Sequence, residues 1–286
     1  MAKQPKDIAA SVRQRLLNIT REEGQVFDVV LVSFGLERLI YRLSVSDHSN
    51  KFVLKGGMLV TLWTSNTGRF TRDVDFLGFG EDGEAELKTV FGEILAIDAG
   101  DGLIFDAENL DAAAIREDQI YGGMRLKTTA YLGTTKVPIT IDAGFGDAMT
   151  DPEYTINYPS LLDLPTGTIR AYSPATVMAE KFQALVSLGL ANGRMKDFYD
   201  LWEVPRSTEI TQEDLLAAVT ATFARRETTV PAERPEALTA AFTEDPVKQQ
   251  QWQAYSESID LQGVDLDLVA NAIWDVLGPV CKKHHA

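Results

Sequence analysis

A chain of 286 residues, 45% hydrophobic and 24% charged, can bury a substantial core as one large domain or two smaller ones, and no apolar run approaches the ~18 residues of a membrane span, so no membrane partner is expected. The net charge of −15 argues against tight, indiscriminate nucleic-acid binding, which depends on phosphate neutralisation; an RNA substrate would need local positive charge, and a basic partner protein could use the acidic surface instead. Cys281 stands alone, which excludes an intrachain disulfide and points to a reducing, cytoplasmic setting, as does an N-terminus without the apolar core of a secretory signal.

The three histidines, His48, His284 and His285, form no spaced ligand set, so a zinc enzyme is disfavoured, and His284-His285 reads as a frayed tail. Residues 7–24 carry helical periodicity through Ile8, Val12, Leu16 and Ile19, with Gly24 as the stop. A second helix from Val26 to Leu43 is apolar on most sides and is expected to be buried. Its Arg38 and Arg42, four apart, either border a site or form a solvated or salt-bridged face. Lys51 to Leu54 reads as a short strand entering a Gly56-Gly57 turn. Met58 to Trp63 starts a helix that Ser65-Asn66-Thr67-Gly68 breaks, and a strand from Asp73 to Phe79 follows, then a helix over Glu84 to Ile97.

This order carries chemistry. Asp73 and Asp75 lie on one strand face because strand side chains repeat every two residues, with Val74 and Phe76 turned to the core. Two adjacent carboxylates repel and call for a hard cation such as Mg²⁺. Gly56 and Gly57 let backbone N–H groups approach a phosphate without Cβ obstruction. Taken alone, Gly-Gly is most often an ordinary turn and Asp-x-Asp a solvated strand edge or loop.

From Gly102 to Gly146 the pattern is β-rich: Leu103 to Phe105, a segment near Ala112 to Arg116, Gly123 to Leu132 and Lys136 to Ala143, the last two joined as a hairpin by Gly133-Thr134-Thr135. Val137, Ile139 and Ile141 alternate with Pro138, Thr140 and Asp142. Residues 150–172 look irregular, with a last short strand over Ile169 to Tyr172. Ser173-Pro174 is an N-cap followed by proline at the first helical position, starting a helix to about Leu190. Lys181 lies on it. A further helix follows Arg194, with Asp197 and Asp200 three apart on one face. Lys181 and Arg194 could oppose a triphosphate's charge, or belong to a surface ion-pair cluster. Tyr199 and Trp202 could stack a base or fill a core. Beyond Pro205 helices are expected over Thr211 to Arg226, Pro235 to Phe242, Asp245 to Ser258 and Val264 to Val280. Arg225, Arg226 and Arg234 form a possible RNA-facing patch.

Gly56-Gly57 followed by Arg69-x-Thr71-x-Asp73-x-Asp75 resembles the signature of DNA polymerase beta-type nucleotidyltransferases, and more narrowly that of the AbiEii/AbiGii toxin family, which includes the MenT toxins. Lys181, then Arg194-x-Lys196-Asp197-x-x-Asp200-Leu201, resembles that family's second signature. The glycine-to-aspartate spacing is longer than in many polymerase beta-type enzymes, and Gly57 replaces a serine of some members. The resemblance implies an α/β (α+β) fold, a mixed-sheet nucleotidyltransferase core with N-terminal helices and a C-terminal helical region, divided as residues 1–165 and 166–286, the second domain completing the nucleotide site. It implies Mg²⁺ (or Mn²⁺) on Asp73, Asp75 and a third carboxylate, for which Asp142 is the candidate and Asp147 the fallback. Gly56, Gly57, Arg69, Thr71, Lys181, Arg194, Lys196 and Asp200 would address the NTP co-substrate, with Lys181 and Asp197 also in the catalytic set. The implied acceptor is RNA, the 3' end of a tRNA, and the implied role a toxin with a cognate antitoxin. The rivals are the same fold modifying a protein, itself through Thr71, or a small molecule, and a non-catalytic acidic interaction protein.

Overall fold

The computed structural model describes residues 7–64, 66, 68–115 and 122–286. Ser65 and Thr67 of the predicted break, Arg116 at the end of a predicted strand, and the first six residues lie outside them. The chain divides into two compact units, one formed by Met1–Leu59, Phe70–Gly146 and Glu153–Ala171, the other by Val60–Arg69, Asp147–Pro152 and Tyr172–Ala286.

The first unit opens with α1 (Ile8–Glu23), capped by the Asp7 side chain on the Ala10 amide and closed by Gly24 at φ 66°, the left-handed conformation glycine adopts without steric cost. α2 (Phe27–Ser44) is buried along most of its length. Arg38 and Arg42 are each 1% exposed and share Asp101, at 2.8 and 2.7 Å. The predicted salt-bridged face is therefore real, but it lies inside the unit: a buried guanidinium has to be paired.

The remaining elements of this unit are β1 (Phe52–Lys55), the start of α3 (Gly57–Trp63), β2 (Val74–Gly78), α4 (Glu84–Leu95), β3 (Leu103–Phe105), β4 (Asp111–Ile115), β5 (Gly123–Leu132), β6 (Thr135–Phe145), β7 (Thr155–Asn157) and β8 (Thr168–Arg170). The main sheet runs β1-β2-β6-β5-β3, with β4 also on β5. β2 and β6 are parallel and the other pairs antiparallel, so the sheet is mixed and the fold α/β, as expected. Alternation sends Val74, Phe76, Val137, Ile139 and Ile141 into the core at 0–1% exposure and leaves Asp73, Asp75 and Asp142 on the other face. Phe52, Phe76 and Phe91 meet at centroid distances of 4.9–6.2 Å. The stretch expected to be irregular contains β7, which pairs with β8 through Thr155↔Arg170 and Asn157↔Thr168; the prolines there flank the strand and remove none of its bonds.

The second unit is helical: α5 (Pro174–Leu188), α6 (Met195–Ser207), α7 (Gln212–Arg225), α8 (Ala240–Thr243), α9 (Pro246–Ser258) and α10 (Leu266–His284). Ser173, Thr211 and Asp245 cap α5, α7 and α9 through their side chains. Pro205 sits in the last turns of α6, where the lost N–H removes one bond. Two expectations are corrected. The single helix expected over Pro235 to Phe242 is a 3-10 turn (Glu236–Leu238) and the four-residue α8, separated by Thr239 in extended conformation. α10 continues past Val280, and the terminal histidines are held, His284 Nδ1 3.1 Å from Thr220 Oγ1 and His285 Nε2 3.0 Å from the Val230 carbonyl oxygen.

Candidate active site

Within the first unit the sheet brings one row of charge together. Lys55 on β1 is in register with Asp75 on β2, Asp75 with Asp142 on β6, and Asp142 with Arg125 on β5. Residues in register share a face, so two acids lie side by side between two bases. Asp73 stands just before β2 and accepts a 2.6 Å hydrogen bond from the Thr71 hydroxyl.

Gly56 and Gly57 wrap this acidic face closely. Gly56 has φ +70°, and a Cβ there would stand 2.2 Å from Asp75 Oδ2; one on Gly57 would stand 2.8 Å from Thr71 Oγ1. The Gly57 N–H is directed at Asp75 Oδ2, 3.4 Å away. Burial, then the Asp73 charge, pushes the Asp75 carboxyl up to about 6, with Asp142 adding to the rise and Lys55 opposing it. Burial and the neighbouring negative charges outweigh the positive charge of Lys55 at this carboxylate. Two half-buried carboxylates and a hydroxyl form a hard oxygen donor set suited to Mg²⁺ or Mn²⁺.

Asp142 is in the right row, but its carboxylate is turned to Arg125, Nε to Oδ1 at 2.8 Å and Nη2 to Oδ2 at 2.6 Å. Among the described residues no three His, Cys, Asp or Glu side chains converge as a metal-holding group. The fallback Asp147 belongs to the second unit and accepts from Arg226 at 3.1 Å.

Within the second unit Arg69, Lys181, Asp197 and Asp200 form one buried network. Arg69 donates through Nε and Nη2 to the two Asp200 oxygens, each at 2.7 Å, and Lys181 Nζ bridges Asp197 and Asp200, at 2.8 Å to the latter. Arg69 is 1% and Asp200 0% exposed. Burial alone would raise the Asp200 carboxyl; Lys181 and Arg69 outweigh it and hold the group at about 2. Burial would likewise lower the Lys181 ammonium, and Asp197 and Asp200 reverse that, raising it above its ordinary value. Arg69 was expected to address phosphate, yet two of its donors are committed to Asp200. Arg194 stands at the N-cap position of α6 with its side chain exposed and making no capping bond, and Lys196 is half-buried. Tyr199 and Trp202 are 2% and 8% exposed and pack at 6.0 Å between centroids; they fill the core. Arg226 is bound to Glu180 as well as Asp147, which removes it from the suggested RNA-facing patch, and Arg234 Nη2 is engaged by Asn271 at 2.7 Å.

The family model of the nucleotidyl transferase AbiEii toxin, type IV toxin–antitoxin system, matches residues 38–277. The chain belongs to the AbiEii family. The match spans both signatures read from the sequence, and the family is one of nucleotidyltransferase toxins. Two solved structures from Helicobacter pylori are similar in fold: JHP933, at 16% identity with a TM-score of 0.49 over 87% of this chain and 90% of that one, and a proposed nucleotidyltransferase, at 15% with a TM-score of 0.47 over 87% and 93%. No curated protein matches the chain. No helix among the described residues is long and apolar enough to cross a membrane.

Two AbiEii-chain residues beside the carboxylates, Lys55 and Arg125, escaped the sequence reading. Their signal was present. A hairpin closing at Gly133-Thr134 pairs Leu132 with Thr135, and counting back along both strands places Arg125 opposite Asp142.

Proposed function

We propose that this AbiEii-family chain transfers a nucleotidyl group from an NTP to a hydroxyl of RNA, the 3' end of a tRNA, with pyrophosphate leaving, and that a cognate antitoxin restrains it. The observation that carries the reading is Asp75 on β2 with Asp73 just before the strand, Asp75 packed against Gly56 and pushed up to about 6 by burial and then the Asp73 charge.

Asp73, Asp75 and Asp142 would hold Mg²⁺ or Mn²⁺, which when bound supplies Lewis-acid stabilisation of phosphate charge. Thr71 fixes the Asp73 carboxylate through its 2.6 Å hydrogen bond. The glycine turn leaves room for the Asp75 carboxylate and the Thr71 side chain, which lie where Cβ atoms on Gly56 and Gly57 would fall. Asp142, next to the pair, would help the acceptor hydroxyl lose its proton. In the second unit, Lys181, Arg194 and Lys196 are the proposed phosphate contacts; Asp197 and Asp200 hold the Lys181 ammonium charged, and Arg69 fixes the Asp200 carboxylate.

Incubation with Mg²⁺, each labelled NTP in turn and total tRNA, with Asp75→Ala alongside, tests the reading. Label entering RNA only with the native acidic pair supports it and names the base. Label on the protein instead points to self-modification, which the 6% exposure of Thr71 disfavours. Absence of transfer together with absence of NTP binding leaves the acidic interaction protein.

A further inference from the structure

Neither family signature read from the sequence includes Arg125. Its guanidinium matches the Asp142 carboxylate fork to fork, a geometry in which both carboxylate oxygens are engaged by a planar, pre-organised cation. The two partners differ in freedom: the Asp142 side chain is 13% exposed and that of Arg125 43%. The carboxylate is fixed on an interior strand, whereas the guanidinium has solvent to move into. The Arg125 charge is stabilised first by its bonds to Asp142, and Asp73 and Asp75 add to it, so it answers the whole acidic face.

We infer that Arg125 is a built-in counter-ion of the carboxylate site, occupying Asp142 when no divalent cation is bound and leaving it when one is, so that metal and guanidinium compete for the same two oxygens. This rests on the reading of Asp73, Asp75 and Asp142 as a cation site. Without a cation Asp75 and Asp142, in register on neighbouring strands, repel one another; Arg125 offsets part of that repulsion and keeps Asp142 in its place. Because β5 holds the Arg125 backbone in register with Asp142, the clamp re-forms when the cation departs. Arg125 is thus a positioning residue that sets metal affinity.

The test is Mn²⁺ binding to the full chain, followed by electron paramagnetic resonance, with thermal melting as the check on folding. Arg125→Gln is expected to tighten Mn²⁺ binding roughly two- to fivefold, the upper part of the range of an exposed ion pair, as its bidentate geometry warrants. Arg125→Lys keeps the charge without the fork and should tighten it less. In an Asp142→Asn background the Arg125→Gln gain should vanish, because the competition is for that carboxylate. Unchanged or weaker Mn²⁺ binding in Arg125→Gln, beside measurable binding by the native chain, overturns the inference and leaves the cation site standing. A gain that persists with Asp142→Asn also overturns it, in favour of general charge removal. No Mn²⁺ binding by the native chain defeats the cation-site reading and the inference together. Should Arg125→Gln fail to fold, the Arg125→Lys comparison decides: no tightening there rejects the clamp.

Discussion

Arg69 and Asp200, 131 residues apart in the chain, meet through two parallel 2.7 Å hydrogen bonds with almost no exposure to solvent. Removing one partner of such a pair leaves an uncompensated buried charge, which costs about 3–5 kcal/mol. Asp200→Ala, which also strips Lys181 of a partner, is expected to lose about that much in denaturant unfolding. Arg69→Met combined with Asp200→Leu should cost less than either single change; a double variant as damaged as the sum of the singles would contradict the pairing.

Asp200 also carries a pH signature. Its folded-state value of about 2 lies below the 3.8 of a free aspartate, so its stabilisation is fully present above about pH 4 and disappears as pH falls towards 2. The amount is about 2 kcal/mol. Stability followed between pH 5 and 2 should fall less steeply in Asp200→Asn than in the native chain, from a lower starting point.

Asp75 has the opposite sign. Its folded value of about 6 exceeds 3.8, so ionising it costs stability that is lost as pH rises through 6. Asp75→Asn should therefore stabilise the metal-free chain by roughly 1–3 kcal/mol at pH 7.5, raising Tm by several degrees, while abolishing nucleotidyl transfer. An unchanged or lower Tm for Asp75→Asn would show that burial and repulsion do not burden the native carboxylate.

At Gly56 both backbone and space are constrained, with φ at +70° and Asp75 Oδ2 2.2 Å from any added Cβ. Gly56→Ala is expected to destabilise by about 1–3 kcal/mol and to lower transfer by displacing Asp75. Gly57→Ala meets only the Thr71 side chain, at 2.8 Å, and should be the milder of the two in both melting and transfer assays.

Arg226 is bound to Asp147 at 3.1 Å and Glu180 at 2.9 Å. Arg226→Ala should cost about 1–3 kcal/mol of stability and leave the affinity for tRNA, measured by filter binding on the folded fraction, within about twofold. A loss of RNA affinity without a loss of stability would restore it to the RNA-facing patch.

Local rules determined much of this chain. Period-two alternation put Asp73, Asp75 and Asp142 on the polar face of their strands, and Ser173, Thr211 and Asp245 announced helix starts, because both depend on residues within a few positions of one another. The two signatures named the AbiEii family from residue types at fixed spacing. What only tertiary structure decided is which charges are free. Arg38, Arg42, Arg69 and Arg226 read as candidate site or surface cations, and each is committed to a carboxylate that the fold carries in from elsewhere in the chain. A guanidinium's role depends on the partner it meets and the solvent it loses, and both are set by long-range packing that spacing does not encode. Arg125 lies between these cases: hairpin register predicts its neighbour, but that it occupies both oxygens of Asp142 is a fact of side-chain geometry.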